Sequence, residues 1–204
     1  MARQPTFGRG DVEVQEQQLL YRGFYTMRRL RLRHRLFRGG WGQPLERELF
    51  VRPDAVGLLP YDAGRDAVGL VEQFRVGALE QGDSPWLLEL VAGLIDSDEA
   101  PEQIARREAV EEAGLEVTAL EPVYRYFSSP GGSDEYFHLY CARVELEQEG
   151  VFGLAEESED IRLHILPAEA ALALLEQGRI HNAHTVIALL WLQRERERLR
   201  EQWR

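Results

Sequence analysis

Between Gly93 and Leu115 the chain reads GLIDSDEAPEQIARREAVEEAGL, and the order of breakers and acids in that stretch admits one local structure. Pro101 is tolerated in the first turn of a helix and disfavoured further in. Ser97 and Asp98 are cap-type residues ahead of it, and Gly114 is the residue type that most readily takes the left-handed conformation closing a helix. The spacing predicts a helix over about residues 101–113. Within it Glu108 stands three and four residues before Glu111 and Glu112, so three carboxylates share neighbouring turns of one face. Like charges at that spacing cost roughly 0.2–0.5 kcal/mol a pair, which a bound cation removes. Mg²⁺ takes oxygen ligands, commonly one or two carboxylates completed by phosphate oxygens and water, which makes Glu108 and Glu112 the leading ligands. A plainer reading competes for a string this short, namely a solvated acidic face with Arg107 paired to Glu111.

Composition narrows the remainder. The 204 residues are 44% hydrophobic, enough for one well-buried core with an appendage. All 24 basic residues are arginine, which excludes Schiff-base and P-loop lysine chemistry and leaves phosphate contacts to guanidinium forks. The formal charge of −11 disfavours nonspecific nucleic-acid binding. Cys141 is the one cysteine, so an intrachain disulfide is impossible and a buried structural thiol is expected. No run of 18 apolar residues occurs, and MARQPTFGRGDVEVQEQQ lacks a signal-peptide core, so a soluble, cytoplasmic protein without a membrane partner is expected.

Leu30–Phe37 alternates leucine with arginine, the pattern of a half-exposed strand with one side on a core. The six arginines between Arg28 and Arg38 fit a solvated or intersubunit surface best, a substrate-related face next and nucleic acid least, because the alternation is strict. Strand-like runs recur at 55–59, 67–74, 86–91, 116–127, 136–146 and 161–166, and helical patterns at 168–177 and about 182–203. The pattern reads as an α/β (α+β) layered domain with one helix in the middle and two at the end, preceded by a smaller N-terminal element. Two loops stand out. Ser128–Asp134 (SSPGGSD) joins a rigid turn to a flexible one, and Gly153–Ile161 carries Glu156, Glu157, Glu159 and Asp160 ahead of a strand. Either loop alone reads as a solvated turn. Beside a metal site that needs a base, the second acquires a role, with Glu156, Glu157 and Glu159 all in contention.

Gly93, Glu99, Arg107, Glu108, Glu111, Glu112 and Gly114 together match all seven fixed positions of the Nudix box, Gly-x5-Glu-x7-Arg-Glu-U-x-Glu-Glu-x-Gly-U with U aliphatic. Ala109 is the mild departure, smaller than the usual aliphatic. Pro130 lies fifteen residues beyond Leu115, near the place where ADP-ribose pyrophosphatases of this family show a proline. With YRGFY at Tyr21–Tyr25, RHRLF at Arg33–Phe37, LLELVAG at Leu87–Gly93, SPGG, EESEDI and NAHTVIAL, the chain resembles the bacterial ADP-ribose pyrophosphatases of the Nudix hydrolase family over roughly Leu20–Leu192.

That resemblance implies Mg²⁺-dependent hydrolysis of the pyrophosphate of ADP-ribose to AMP and ribose 5-phosphate, with two or more ions per site and Mn²⁺ as a possible substitute. It implies metal ligation by the backbone oxygen of Ala92 and by Glu108, Glu112 and Glu159, with Glu157 as the base. It further implies Phe24 and Tyr25 around the adenine and Arg47, Arg52 and Arg75 on charged or ribose groups. Ser129, Pro130, Gly131 and Glu135 would then stand beside the terminal ribose. The fold that the resemblance implies is a mixed sheet sandwiched by helices, with an N-terminal antiparallel strand element over residues 1–50, swapped in a homodimer, and the catalytic domain over 51–204. Two alternatives stay open: hydrolysis of another nucleoside diphosphate sugar, and a module that senses ADP-ribose without cutting it. The second conflicts with the complete set of box carboxylates.

Overall fold

The computed structural model describes residues 5–204, with the backbone but not the side chain of Glu157. The chain divides into two compact units, one of residues through Pro53 with Phe127–Glu135, the other of Asp54–Tyr126 with Tyr136–Arg204.

The first unit is a three-stranded antiparallel sheet of β1 (Val12–Arg22), β2 (Thr26–His34) and β3 (Leu45–Val51), in that spatial order. β2 begins earlier and ends earlier than its leucine–arginine alternation suggests. Thr26 and Met27 pair with Val51 and Phe50, while a turn with Gly39 and Gly40 at φ 94° and 74° draws the chain away after His34. Register puts Arg29, Arg31 and Arg33 on one face with Glu13, Glu16, Glu46 and Glu48, including an Arg33–Glu13 ion pair at 2.6 Å. The other face carries Val12, Val14, Leu19, Leu30, Leu32, Leu45 and Leu49, interrupted by Gln17, Arg28, His34 and Arg47. The expectation that this face packs on a core is corrected here: no residue of these three strands is buried, and Val14 and Leu19 are 53% and 55% exposed.

The second unit is built on an eight-stranded mixed sheet. Its strands are β4 (Ala55–Asp62), β5 (Ala67–Phe74), β6 (Trp86–Glu89), β7 (Val91–Leu94), β8 (Ala119–Phe127), β9 (Tyr136–Arg143), β10 (Gly150–Phe152) and β11 (Ile161–Pro167). Its helices are α1 (Pro101–Ala113), α2 (Ala168–Glu176) and α3 (Ala183–Trp203). β4 runs parallel to β9 and antiparallel to β5, meeting β5 only at Tyr61–Val68 and Asp62–Ala67. Beyond those pairs the two strands diverge. β6 pairs with β5 and β7 with β4, so the chain crosses from one to the other at Leu90. The single strand expected over 86–91 is therefore two, because the Leu90 amide leaves the ladder and donates to Thr185 Oγ1 at 2.9 Å.

Alternation along β4 and β5 feeds two cores. Val56, Leu58 and Val71 pack with Ile104, Ala105, Ala109 and Ala113 of α1 on one face, and Leu59, Tyr61, Val68 and Leu70 pack with Ala171, Ala188, Leu189 and Leu192 of α2 and α3 on the other. Helices thus cover both faces of the sheet, as the sequence reading expected. The small residues of α1 let it lie close on the strands, so Ala109 is a packing position. Cys141 is wholly buried and burial pushes its thiol up, which leaves it structural. Among the described residues no helix is long and apolar enough to cross a membrane.

Candidate active site

The acidic helix forms over the span its proline and glycine prescribe. Gly114 takes φ 64°, ψ 25°, and the amides of Gly114 and Leu115 return to the carbonyls of Val110 and Ala109 at 2.9 Å each. Its start is capped differently from expectation. Ser97 Oγ bonds the Glu99 amide, while the orphan Ala100 amide donates to Gln103 Oε1 at 3.2 Å, so neither Ser97 nor Asp98 caps the helix. The reach explains it: the chain enters at Ala100, two residues later than the polar pair.

Helix and strand meet at the segment from Glu89 to Gly93. The Ala92 amide donates to Glu112 Oε2 at 3.0 Å, and Glu112 is 3% exposed. Gly93 faces Glu108, and a Cβ built on Gly93 would fall inside the volume of the Glu108 carboxylate. Only glycine permits this approach. On the outer side of α1, Arg107 Nη1 reaches Glu111 Oε2 at 2.8 Å and Glu108 Oε1 at 3.2 Å. Burial works against the Arg107 charge, yet Glu108, Glu111 and Glu99 more than offset it and hold the guanidinium's pKa above its usual value.

The loop before β11 comes to the same end of α1. The Gly153 amide donates to the Glu111 carbonyl at 3.1 Å, Leu154 N–H to Glu159 Oε2 at 3.1 Å, and Ser158 turns the chain at φ 58°. Glu157 lies in the short 3-10 turn Ala155–Glu157, and its side chain lies outside the described residues. Desolvation pushes the Glu112 carboxyl up to about 8; the Ala92 amide and Arg75 oppose this, and the negative charges of Glu108 and Glu159 reinforce it. Glu108 of the helix and Glu159 of the loop therefore both act electrostatically on Glu112.

A divalent cation suits this donor set. Glu112 is a buried carboxylate whose charge desolvation disfavours, which a bound cation would offset, and Glu108 is poised over a glycine that leaves room for nothing larger. Among the described residues no group of three or more acids, histidines or cysteines is drawn tightly enough to hold an ion unaided. Mg²⁺ does not demand it, since one or two carboxylates with phosphate oxygens and water complete its shell.

Arg75, at the end of β5, lays Nε and Nη2 on Glu89 Oε2 at 2.8 Å each. The sequence reading named Arg75 but missed Glu89, whose signal was an acid inside the apolar run Trp86–Ala92. It also missed Asn182, which donates to Glu89 Oε1 at 3.0 Å; an Asn three residues before Thr185 at a helix start was the clue.

The remaining candidates lie in the first unit. Tyr25 packs edge-on between Phe24 and Phe50, with ring centroids 4.7 and 5.0 Å away, and Phe24 is 83% exposed. The Arg52 guanidinium lies 5.3 Å over the Tyr25 ring and pairs with Glu135 at 2.9 Å. Glu135 is 4% exposed and accepts a hydrogen bond from Ser128, while the Arg52 amide donates to Asp134 at 3.2 Å. Arg52 Nε is buried without a partner. Ser129 accepts the turn bonds from Gly132 and Ser133, and Ser129, Pro130 and Gly131 are exposed. Arg47 bonds the Glu46 carbonyl at 2.8 Å instead of joining the Arg52–Glu135 pair.

A family model for the NUDIX domain matches residues 51–189. The ADP-ribose pyrophosphatase of Escherichia coli strain K12 is 46% identical over 199 residues, 97% of this chain and 95% of that protein. The ADP-ribose pyrophosphatase of Haemophilus influenzae is 42% identical over 97% of this chain and 93% of its own length. A GDP-mannose pyrophosphatase of Shigella flexneri is 38% identical over 149 residues, 72% of this chain and 78% of its own. A solved structure titled as an ADP compounds hydrolase superposes with a TM-score of 0.70 over 94% of this chain and 96% of that one, at 23% identity, which speaks to fold alone.

Proposed function

The chain belongs to the Nudix family, and on that premise we propose that it hydrolyses the pyrophosphate bond of ADP-ribose to AMP and ribose 5-phosphate, using Mg²⁺, with Mn²⁺ as a substitute. The observation that carries this reading is the junction of Ala92–Gly93 with Glu108 and Glu112 in a chain similar along nearly its whole length to ADP-ribose pyrophosphatases.

Ala92 O, Glu108, Glu112 and Glu159 would hold two or more ions. Bound there, the metal would neutralise the diphosphate and lower the pKa of water. Glu157 takes the proton from the attacking water. Oxygen from that water joins one phosphorus as the bridging P–O bond breaks, so the two phosphate monoesters leave. Arg75 holds the diphosphate, Phe24 and Tyr25 stack the adenine, Arg47 and Arg52 take charged or ribose groups, and Ser129, Pro130, Gly131 and Glu135 border the terminal ribose. A homodimer completes the site: the apolar face of β1–β3 has no cover within the described chain, and a second copy supplies one. The cytoplasm, where nucleoside diphosphate sugars are made, is the compartment this activity fits.

Hydrolysis of another nucleoside diphosphate sugar is the second reading, favoured by the GDP-mannose pyrophosphatase match but over a smaller share of the chain. Incubation with ADP-ribose and Mg²⁺ should release AMP without EDTA and none with it if the first reading holds. Faster cleavage of GDP-mannose in competition would favour the second reading, and no cleavage of either sugar would refute both.

A further inference from the structure

Glu89 is a buried carboxylate, its side chain 3% exposed, and both oxygens are spoken for: Oε2 by the Arg75 fork at 2.8 Å, Oε1 by Asn182 Nδ2 at 3.0 Å. Asn182 is also the N-cap of α3, its Oδ1 accepting from Thr185 N at 3.1 Å and Thr185 Oγ1 at 3.2 Å. Thr185, wholly buried, accepts the Leu90 amide at 2.9 Å. Three residues on from Glu89, the same segment binds Glu112 through Ala92. Serine, threonine and aspartate cap a helix about as well as asparagine. None of them offers an amide donor to Glu89. A buried ion pair contributes little net stability by itself, so holding Glu89 from two sides is better accounted for by direction than by folding energy.

We propose that Asn182 is a positioning residue for the hydrolysis: through Glu89 it fixes the direction of the Arg75 guanidinium, whose side chain stays 42% exposed, toward the diphosphate. The proposal rests on the reading that Arg75 holds that diphosphate. It makes the start of α3, more than a hundred residues away in sequence, a part of the active site's scaffold.

The test is a double-mutant cycle of Asn182→Ser and Asn182→Asp with Arg75→Ala, following kcat and KM, the Kd of ADP-ribose in EDTA, and thermal melting. Both residue-182 variants keep the cap, so either carries the test if the other fails to fold. With Arg75 present each should lower kcat/KM about tenfold or more, in the same parameter that Arg75→Ala moves, with Tm within a few degrees for Asn182→Ser and lower for Asn182→Asp, which sets a second carboxylate against buried Glu89. With Arg75 absent the same change should cost under about twofold. Equal losses in both backgrounds, no loss in either, or a neutral Arg75→Ala would overturn the proposal. Wild-type turnover of ADP-ribose tests the function reading separately, and the cycle is run on whichever nucleoside diphosphate sugar the wild type cleaves fastest. A wild type that cleaves none overturns both.

Discussion

The amide of Ala92 and the carboxylate of Glu112 meet at 3.0 Å, joining β7 to the last turn of α1 at an acid that is almost wholly buried. One N–H is slight compensation for a desolvated charge, and the Glu112 carboxyl rises to about 8 from its ordinary 4.5. Between those values the native state keeps a proton that the unfolded state has released. Metal-free stability is therefore lowered as pH rises through the window, and the penalty is complete above about pH 8. Glu112→Gln removes that titration. Metal-free thermal melts should show the variant gaining on wild type between pH 5 and 9, while Mg²⁺ raises the wild-type Tm at pH 9 more than it raises the variant's. Parallel pH curves for the two proteins would contradict this account.

Gly93 lies where a methyl group would collide with the Glu108 carboxylate. Gly93→Ala should push Glu108 out of place, costing about 1–3 kcal/mol of stability as an overpacked contact does. kcat should fall at least about tenfold, because a displaced carboxylate weakens ion and diphosphate together. Steady-state kinetics across a Mg²⁺ titration checks it, and wild-type rates at low Mg²⁺ would refute it.

The helix was legible because Pro101 and Gly114 act through backbone geometry alone, which needs no tertiary partner. The outer strands were less so. In β1 the pairing shifts register between Val14 and Glu16 and again between Leu19 and Tyr21, so the period of two that marks a strand is broken twice. β3 hides behind Glu46, Arg47 and Glu48: the two acids face Arg31 and Arg29 on β2, while Arg47 stands opposite Leu30. The network behind Arg75 was invisible for another reason: its partner Glu89 and the Asn182 that holds Glu89 lie 93 positions apart, and only the fold brings them together.

A base on the loop before β11 should be separable from a ligand there. A positioned general base contributes about 10²–10⁴-fold, so Glu157→Gln should lower kcat at least tenfold without changing the Mg²⁺ dependence or the melting temperature. Glu159→Gln should instead shift the Mg²⁺ concentration for half-maximal rate upward. Near-wild-type turnover in Glu157→Gln would move the base to a neighbour.

Away from the site, Asp66 accepts hydrogen bonds from Arg196 at 2.8 and 2.5 Å and from Tyr61 at 2.8 Å, pinning the far end of α3 to the β4–β5 turn. Hydrogen bonding from Arg196 outweighs burial and holds its carboxyl below the ordinary 3.8. The stabilisation is present above that value and lost as pH falls through the folded-state one. Asp66→Asn keeps a residue that tolerates φ 54° yet removes the charge, so denaturation at pH 7 should show a loss of roughly 1.5–3 kcal/mol. That gap should close in acid, below pH 3.8. A constant gap down to pH 2 would mean the aspartate acts by packing.

The apolar face of the first unit yields a last expectation. Leu30, Leu32, Leu45 and Leu49 share it with Val12, Val14 and Leu19, and the last three are 44%, 53% and 55% exposed. A patch of this kind on a three-stranded sheet draws a partner, and full burial of one such side chain stabilises an interface by roughly 1.5–3 kcal/mol. Leu32→Glu would set a carboxylate in its middle. Sedimentation should show the wild type as a dimer at micromolar concentration and the variant largely as monomer. The second unit has its own two cores, so near-native melting of that unit should persist in the variant. Loss of ADP-ribose affinity along with the dimer would mean that the partner helps build the site. A monomeric variant with full affinity would assign the aromatic pair Phe24–Tyr25 to its own subunit's nucleotide, and a monomeric wild type would remove the dimer from the account altogether.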